Sequence, residues 1–178
     1  TAFQGPTPPL QLSSTFPYIG SVRLYPRPLV RALLPASAQQ ARQKVRWVSE
    51  GLWKHMLGHL PLGASDCTLI EDGQVWALQS DWAIVTKKVP WTLAQQPCWQ
   101  VHTVPRVALD RITNASQVFQ VGRATYRPDC GLWFAARAAD DAWRKRLERG
   151  LDLLADHGLG GLRSIGHGAF RWERWQGA

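Results

Sequence analysis

Gly158-Leu159-Gly160-Gly161-Leu162-Arg163-Ser164-Ile165-Gly166-His167-Gly168-Ala169-Phe170 is the stretch whose reading decides the fold. Five glycines fall within eleven residues, interleaved with Arg163, Ser164 and His167. Glycine takes positive φ at little steric cost, so this backbone can turn repeatedly and present bare N–H groups toward one anion. A charged amphipathic segment, Asp140 to Asp156, leads in, and an aromatic strand-like run, Phe170 to Trp175, leads out. The order helix, glycine loop, strand is the reverse of a dinucleotide fingerprint, and the P-loop lysine is missing, so the cluster indicates no nicotinamide or flavin cofactor. A connection that only turns the chain has the same composition. Arg163 and Ser164 favour an anion.

Working outward, Trp143, Leu147, Leu151 and Leu154 share one face of the preceding helix, while Arg144, Lys145, Glu148, Arg149 and Asp152 turn away. Gly150 falls on the apolar face, which predicts close approach to a sheet. Before the helix come three strand-like runs: Val101 to Thr113, Phe119 to Tyr126 and Leu132 to Arg137. Phe119 to Trp175 therefore reads strand, strand, helix, glycine loop, strand, the second half of a ferredoxin-like (split β-α-β) domain. The expected boundary lies near Gln100, giving an N-terminal domain over 1–100 and a C-terminal one over 101–178.

Six prolines between Pro6 and Pro28 forbid a long helix at the start of the chain. Val45 to Val48 predicts a short strand, and Ser49 caps a helix carrying Leu52, Trp53, Met56, Leu57 and Leu60. His55 and His59 are four apart on that helix, but the glutamate of an H-E-x-x-H site is absent, so no metal is expected. Gly73 to Lys88 reads as strand, with Ser80-Asp81 as a turn and Val75, Trp76, Leu78, Trp82, Ile84 and Val85 as its apolar positions. Pro90 and Pro97 then break the pattern. The ten tryptophans sit mainly at core-like positions.

The 178 residues, 45% of them hydrophobic, are enough for one ordinary domain or two small ones. The formal charge of +8 is spread: nine Lys/Arg against five Asp/Glu up to Gln100, and twelve against eight beyond it, leave each half at +4. Arginine predominates over lysine, which suits forked contacts to phosphate. Cys67, Cys98 and Cys130 are odd in number, far apart in sequence and without a C-x-x-C pair, so neither a disulfide framework nor a zinc site is indicated. No apolar run approaches the roughly 20 residues that span a bilayer. A cytoplasmic protein without cofactors is expected.

Three segments together resemble a known family. Pro9-Leu10-Gln11-Leu12-Ser13-Ser14-Thr15-Phe16-Pro17-Tyr18-Ile19-Gly20 with Leu24-Tyr25-Pro26-Arg27-Pro28-Leu29, then Arg106 with Asp110-Arg111-Ile112-Thr113, then the glycine cluster, occur in the order found in the fourth Csm subunit of type III-A CRISPR effector complexes. The resemblance implies an α+β architecture of RAMP-type ferredoxin-like (RRM-like) domains with a C-terminal glycine-rich loop. The family's opening strand and helix have no counterpart before Thr1, so the N-terminal domain is expected to be incomplete. That would leave an unpaired edge and an apolar face near Trp76, Trp82, Trp91 and Trp99. His167 stands where bulky or aromatic residues are common in relatives.

By the same resemblance the chain is a non-catalytic subunit that grips the 5′ handle of the CRISPR RNA and joins the large polymerase-like palm subunit to a backbone RAMP subunit. Gly160, Gly161, Gly166 and Gly168 would bring backbone close to the RNA, with Arg163 on phosphate and Ser164 or His167 on a sugar or base edge. Arg106, Arg111 and His102 are further candidates, and Arg123, Arg127 and Arg27 weaker ones. Pairing of Arg111 with Asp110 is an alternative structural role. The rival activity is that of a repeat-processing endoribonuclease of the same superfamily, with His102 or His167 as acid or base. A third reading is the handle-binding subunit of another type III complex.

Overall fold

The computed structural model describes residues 7–29, 43–60, 62–88, 97–110, 112–113, 115–163 and 166–175. In chain order the elements are β1 (Leu10–Leu12), β2 (Phe16–Ile19), β3 (Val22–Pro26), β4 (Trp47–Ser49), α1 (Glu50–Leu57), β5 (Cys67–Ile70) and β6 (Val75–Leu78). They continue with α2 (Gln79–Lys88), β7 (Trp99–Leu109), β8 (Ser116–Tyr126), β9 (Cys130–Trp133), β10 (Ala136–Ala138) and α3 (Asp141–His157). The chain divides into two units, Thr15–Trp133 and Thr1–Ser14 with Phe134–Ala178. This division differs from the boundary expected near Gln100, which lies inside β7.

The larger unit is built on a six-stranded sheet of order β5-β6-β4-β3-β2-β9, in which β4 and β6 run parallel and the other neighbours antiparallel. β2 and β3 are joined by a two-residue turn, where Gly20 supplies the positive φ of 57° that such a turn needs. Strand alternation sends side chains to two separate cores. Val48 and its partner Trp76 face α1 and pack with Leu52 and Met56; Trp47 and its partner Val75 face the other way, with Ile19, Val22, Leu24, Cys98 and Val85 of α2. The two helices thus cover opposite faces. Trp76 is 7% exposed, and Trp82 and Trp99 pack against the second core, so they do not form the bare apolar face expected of an incomplete domain. Trp91 lies outside the described residues.

Ser49 joins strand to helix as its position suggested. Fully buried, its hydroxyl oxygen accepts the Leu52 amide at 3.4 Å, capping α1, and the Leu78 amide at 3.1 Å, tying that cap to the end of β6. Asp81 is not a turn residue: α2 begins at Gln79, and the Asp81 carboxylate accepts the Gly51 amide at 3.0 Å. Trp82 and Val85, read as strand, are therefore neighbours on a helix three residues apart. Two short apolar runs broken by Gln79-Ser80-Asp81 do not by themselves separate the two periodicities. His55 Nδ1 lies 3.4 Å from Gly51 O, and His59 lies beyond the end of α1.

The strands assigned to one ferredoxin-like half belong to three sheets. Among the described residues β7 and β8 pair only with each other, over eleven positions; β9 joins β2; β10 pairs with β1 in the smaller unit. The expected strand Leu132 to Arg137 is split by Phe134 and Ala135 between two of these sheets.

In the smaller unit α3 begins as predicted, with Asp140 accepting the Trp143 amide at 2.9 Å. Gly150 is exposed with open space beside it, so it marks no close approach. Phe170 to Trp175 is irregular rather than a strand. Side chains hold it instead: Trp172 Nε1 donates to Asp152 at 2.9 Å and Arg174 pairs with Glu148, so the segment is tied to α3. Among the described residues no helix is long and apolar enough to cross a membrane.

Candidate RNA-binding surfaces

Three residues singled out in the sequence meet on the β7–β8 hairpin. His102 is directly opposite Arg123, and Arg106, four residues on, is opposite Phe119. Residues paired across an antiparallel ladder share a face, as do residues two apart on one strand. One face of the hairpin therefore carries His102, Arg106, Arg123 and Phe119, with Val104 and Val121 between them. His102, Arg123 and Phe119 are exposed, and Arg106 is half-buried. The Arg106 Nε is withdrawn from water and has no hydrogen-bond partner among the described residues. An unpaired N–H of this kind is costly, about 1–3 kcal/mol, and is relieved by an acceptor. The opposite face bears Val101, Val107, Leu109 and Val118, all exposed. Counting back by twos from Arg123 reaches Phe119, a candidate stacking surface that sequence reasoning passed over.

At the hairpin's end, Asp110 clasps the turn. Its carboxylate accepts the Ile112 amide at 2.9 Å and the Thr113 hydroxyl at 2.7 Å, and its own amide donates to Ala115 O at 2.9 Å. The Ile112 bond, followed by that of Thr113, holds the carboxyl below its ordinary range. Asp110 and Thr113 are thus explained by local turn geometry; Arg111 lies outside the described residues. Arg127 follows β8 in the turn leading to β9, and Arg27 follows β3, so neither shares the hairpin face.

The glycine cluster forms a loop closed at its base. Gly158 ends α3, its amide bonded to Leu154 O at 2.8 Å, and the Leu159 amide donates to Gly168 O at 2.8 Å. Gly158 and Gly168 have φ of 78° and 84°, and an added Cβ would stand 3.0 Å from His167 O and 1.9 Å from Leu159 O respectively. Only glycine lets the two passes of backbone touch there. The Gly166 amide bonds Arg163 O at 3.0 Å and the His167 amide bonds Leu162 O at 3.3 Å. Four of the loop's N–H groups, at 158, 159, 166 and 167, are consequently engaged within the protein. Among the described residues this leaves Gly160, Gly161, Arg163 and Gly168, all exposed, as the part of the loop that can meet an anion. Gly160 and Gly166 are left-handed, at 100° and 82°; Gly161 is not. Arg163 makes no ion pair with another described residue. His167 is half-buried, and Ser164 lies outside the described residues.

No protein-family model matches the sequence. The Csm4 protein of a CRISPR system from Thermococcus onnurineus (strain NA1) is 27% identical over 84 residues, which are 47% of this chain and 29% of that one. Among solved structures, a chain of the Csm3–Csm4 subcomplex of the type III-A CRISPR-Cas interference complex superposes with a TM-score of 0.62 at 17% identity, covering 86% of this chain and 50% of the other. A chain of the Csm1–Csm4 cassette in complex with cA4 gives 0.49 at 18% identity, over 82% and 48%. The chain thus spans about half the length of the solved chains it matches. It is similar to Csm4 in sequence over nearly half its length, and it shares the fold of a chain of the Csm3–Csm4 subcomplex.

Proposed function

We propose that this chain is a non-catalytic RNA-binding subunit of a type III-A Csm complex, gripping the 5′ handle of the CRISPR RNA between a large palm-domain subunit and a backbone subunit. The observation that supports it most is the single hairpin face that gathers His102, Arg106 and Arg123 beside the exposed ring of Phe119. Single-stranded RNA asks for this combination: guanidinium groups for phosphate and an aromatic face for a splayed base. The loop surface at Gly160, Gly161 and Arg163 is a second contact on the same reading, and the likeness to Csm4 is its context. We also read the run β4-α1-β5-β6-α2, with β4 and β6 as a parallel pair, as the connectivity of a RAMP ferredoxin-like domain. It departs from the usual packing in having its helices on opposite faces.

Binding of a labelled handle RNA, followed by fluorescence anisotropy across a salt series, tests the reading. Affinity should fall log-linearly with salt while the RNA stays intact. Cleavage at one site, abolished by His102→Ala or His167→Ala, would replace it with the endoribonuclease reading.

A further inference from the structure

Cys98 and Cys130, separated by the whole β7–β8 hairpin in sequence, meet at its root. Cys98 directly precedes Trp99, the first residue of β7, and its carbonyl accepts the Arg127 amide at 3.0 Å just past the end of β8. Arg127 in turn accepts the Cys130 amide at 3.1 Å, so a single tight turn separates the strand facing Cys98 from Cys130 itself. Cys130 is then fixed on β9 by pairing with Ile19 of β2. Both side chains belong to the same core, Cys98 at 1% exposure and Cys130 half-buried against it. Cys67 is half-buried in the core on the opposite sheet face and cannot join them.

We propose that Cys98 and Cys130 are a redox modification site: a dithiol that exchanges with low-molecular-weight disulfides and closes into a disulfide stapling the root of the β7–β8 hairpin to the six-stranded sheet. The chemistry is ordered by the surroundings. The Cys98 thiol is pushed up, first by hydrogen bonding with Cys130, then by burial and by the nearby Glu71 carboxylate. Cys130 is pulled down, first by the Cys98 bond, then by the Arg127 guanidinium and the Gly20 amide, against burial and Glu71. The partly exposed Cys130 is therefore the attacking thiolate. Its sulfur displaces one thiolate from the reagent, breaking the reagent's S–S bond and leaving a mixed disulfide. Cys98 then gives up its proton and attacks the Cys130 sulfur, expelling the second thiolate. Two electrons and two protons pass to the reagent, which leaves as two thiols.

The test is incubation of the folded chain with oxidised glutathione, then peptide mapping by mass spectrometry and thermal melting with and without dithiothreitol. The expected product is one intramolecular Cys98–Cys130 link in both the unaltered chain and Cys67→Ser, with a melting temperature raised by oxidation and restored by reduction. In Cys98→Ser the expected product is a stable glutathione adduct on Cys130. Because that variant alters a buried site, the mapping of the unaltered chain and of Cys67→Ser decides the question without it. Separate glutathione adducts on the two cysteines, free thiols at both, or a link through Cys67 would overturn the assignment. A linked protein that melts at the same or lower temperature would overturn the staple.

Discussion

The carboxylate of Glu71 holds the backbone amide of Cys98 with both oxygens, at 3.0 and 2.9 Å, across 27 residues of chain. Glu71 and Asp72 form the turn between β5 and β6, each with φ of 53°, a conformation that side chains other than glycine adopt at a cost. The strained turn thereby aims an acceptor at the buried root of the hairpin that carries His102, Arg106 and Arg123. Glu71→Ala should leave the Cys98 N–H without its partner and destabilise the larger unit by about 1–3 kcal/mol in urea unfolding. Asp72→Gly, which relieves the turn at an exposed position, should be neutral or slightly stabilising.

Ser49 serves two amides from one buried oxygen. Ser49→Ala should cost about 1–3 kcal/mol, seen as a lower melting temperature with the native circular dichroism retained at room temperature. Ser49→Thr keeps the acceptor but adds a methyl group where no space is exposed, so it should recover only part of the loss.

Glu50 is placed to make stability depend on acid. Burial pushes its carboxyl up, yet hydrogen bonds from Lys54 and from the forked Arg23 guanidinium, at 2.9 and 2.8 Å, outweigh this and hold it below the ordinary value of 4.5. With a folded pKa below the unfolded one, the stabilisation is complete above about pH 4.5 and is lost as pH falls through the folded value. Melting temperature should drop between neutral pH and about pH 3. In Glu50→Gln the curve should start lower and lose part of that drop.

The glycine loop separates two kinds of substitution. Gly168→Ala puts a Cβ 1.9 Å from Leu159 O on left-handed backbone and should open the loop's base, with a loss above about 2 kcal/mol and faster proteolysis between α3 and Phe170. Gly161→Ala meets open space without left-handed φ and should leave melting unchanged. Gly160→Val, rather than a change at Gly161, is the substitution that challenges the loop's outer backbone, since φ there is 100°.

On the proposed RNA reading, Arg106→Ala, Arg123→Ala and Arg163→Ala should each weaken handle binding by about 1–3 kcal/mol and lower the salt slope by roughly one, with melting of the Arg123 and Arg163 variants unchanged. Unchanged affinity in all three folded variants would remove the arginine contacts from the proposal.

What the sequence determined by itself is local chemistry. The cap at Ser49, the short strand before it, the strands within Val101 to Tyr126 and the amphipathic α3 were legible because each depends on neighbours within a few residues, whereas the turn at Asp110 to Thr113 was read as strand. The segments that carry the Csm4 resemblance were legible for the same reason. Tertiary structure decided the rest. Val75 to Val85 changes from strand to helix at Gln79, where Asp81 finds the Gly51 amide, a partner 30 residues away. Phe170 to Trp175 has strand composition but no strand, because Asp152 and Glu148 take its Trp172 and Arg174 side chains while no ladder receives its backbone among the described residues. Likewise, His102, Arg106 and Arg123 were separate candidates in the sequence. Only the register of β7 on β8 put them on one face, because pairing, which residue order does not specify, sets which alternation meets which.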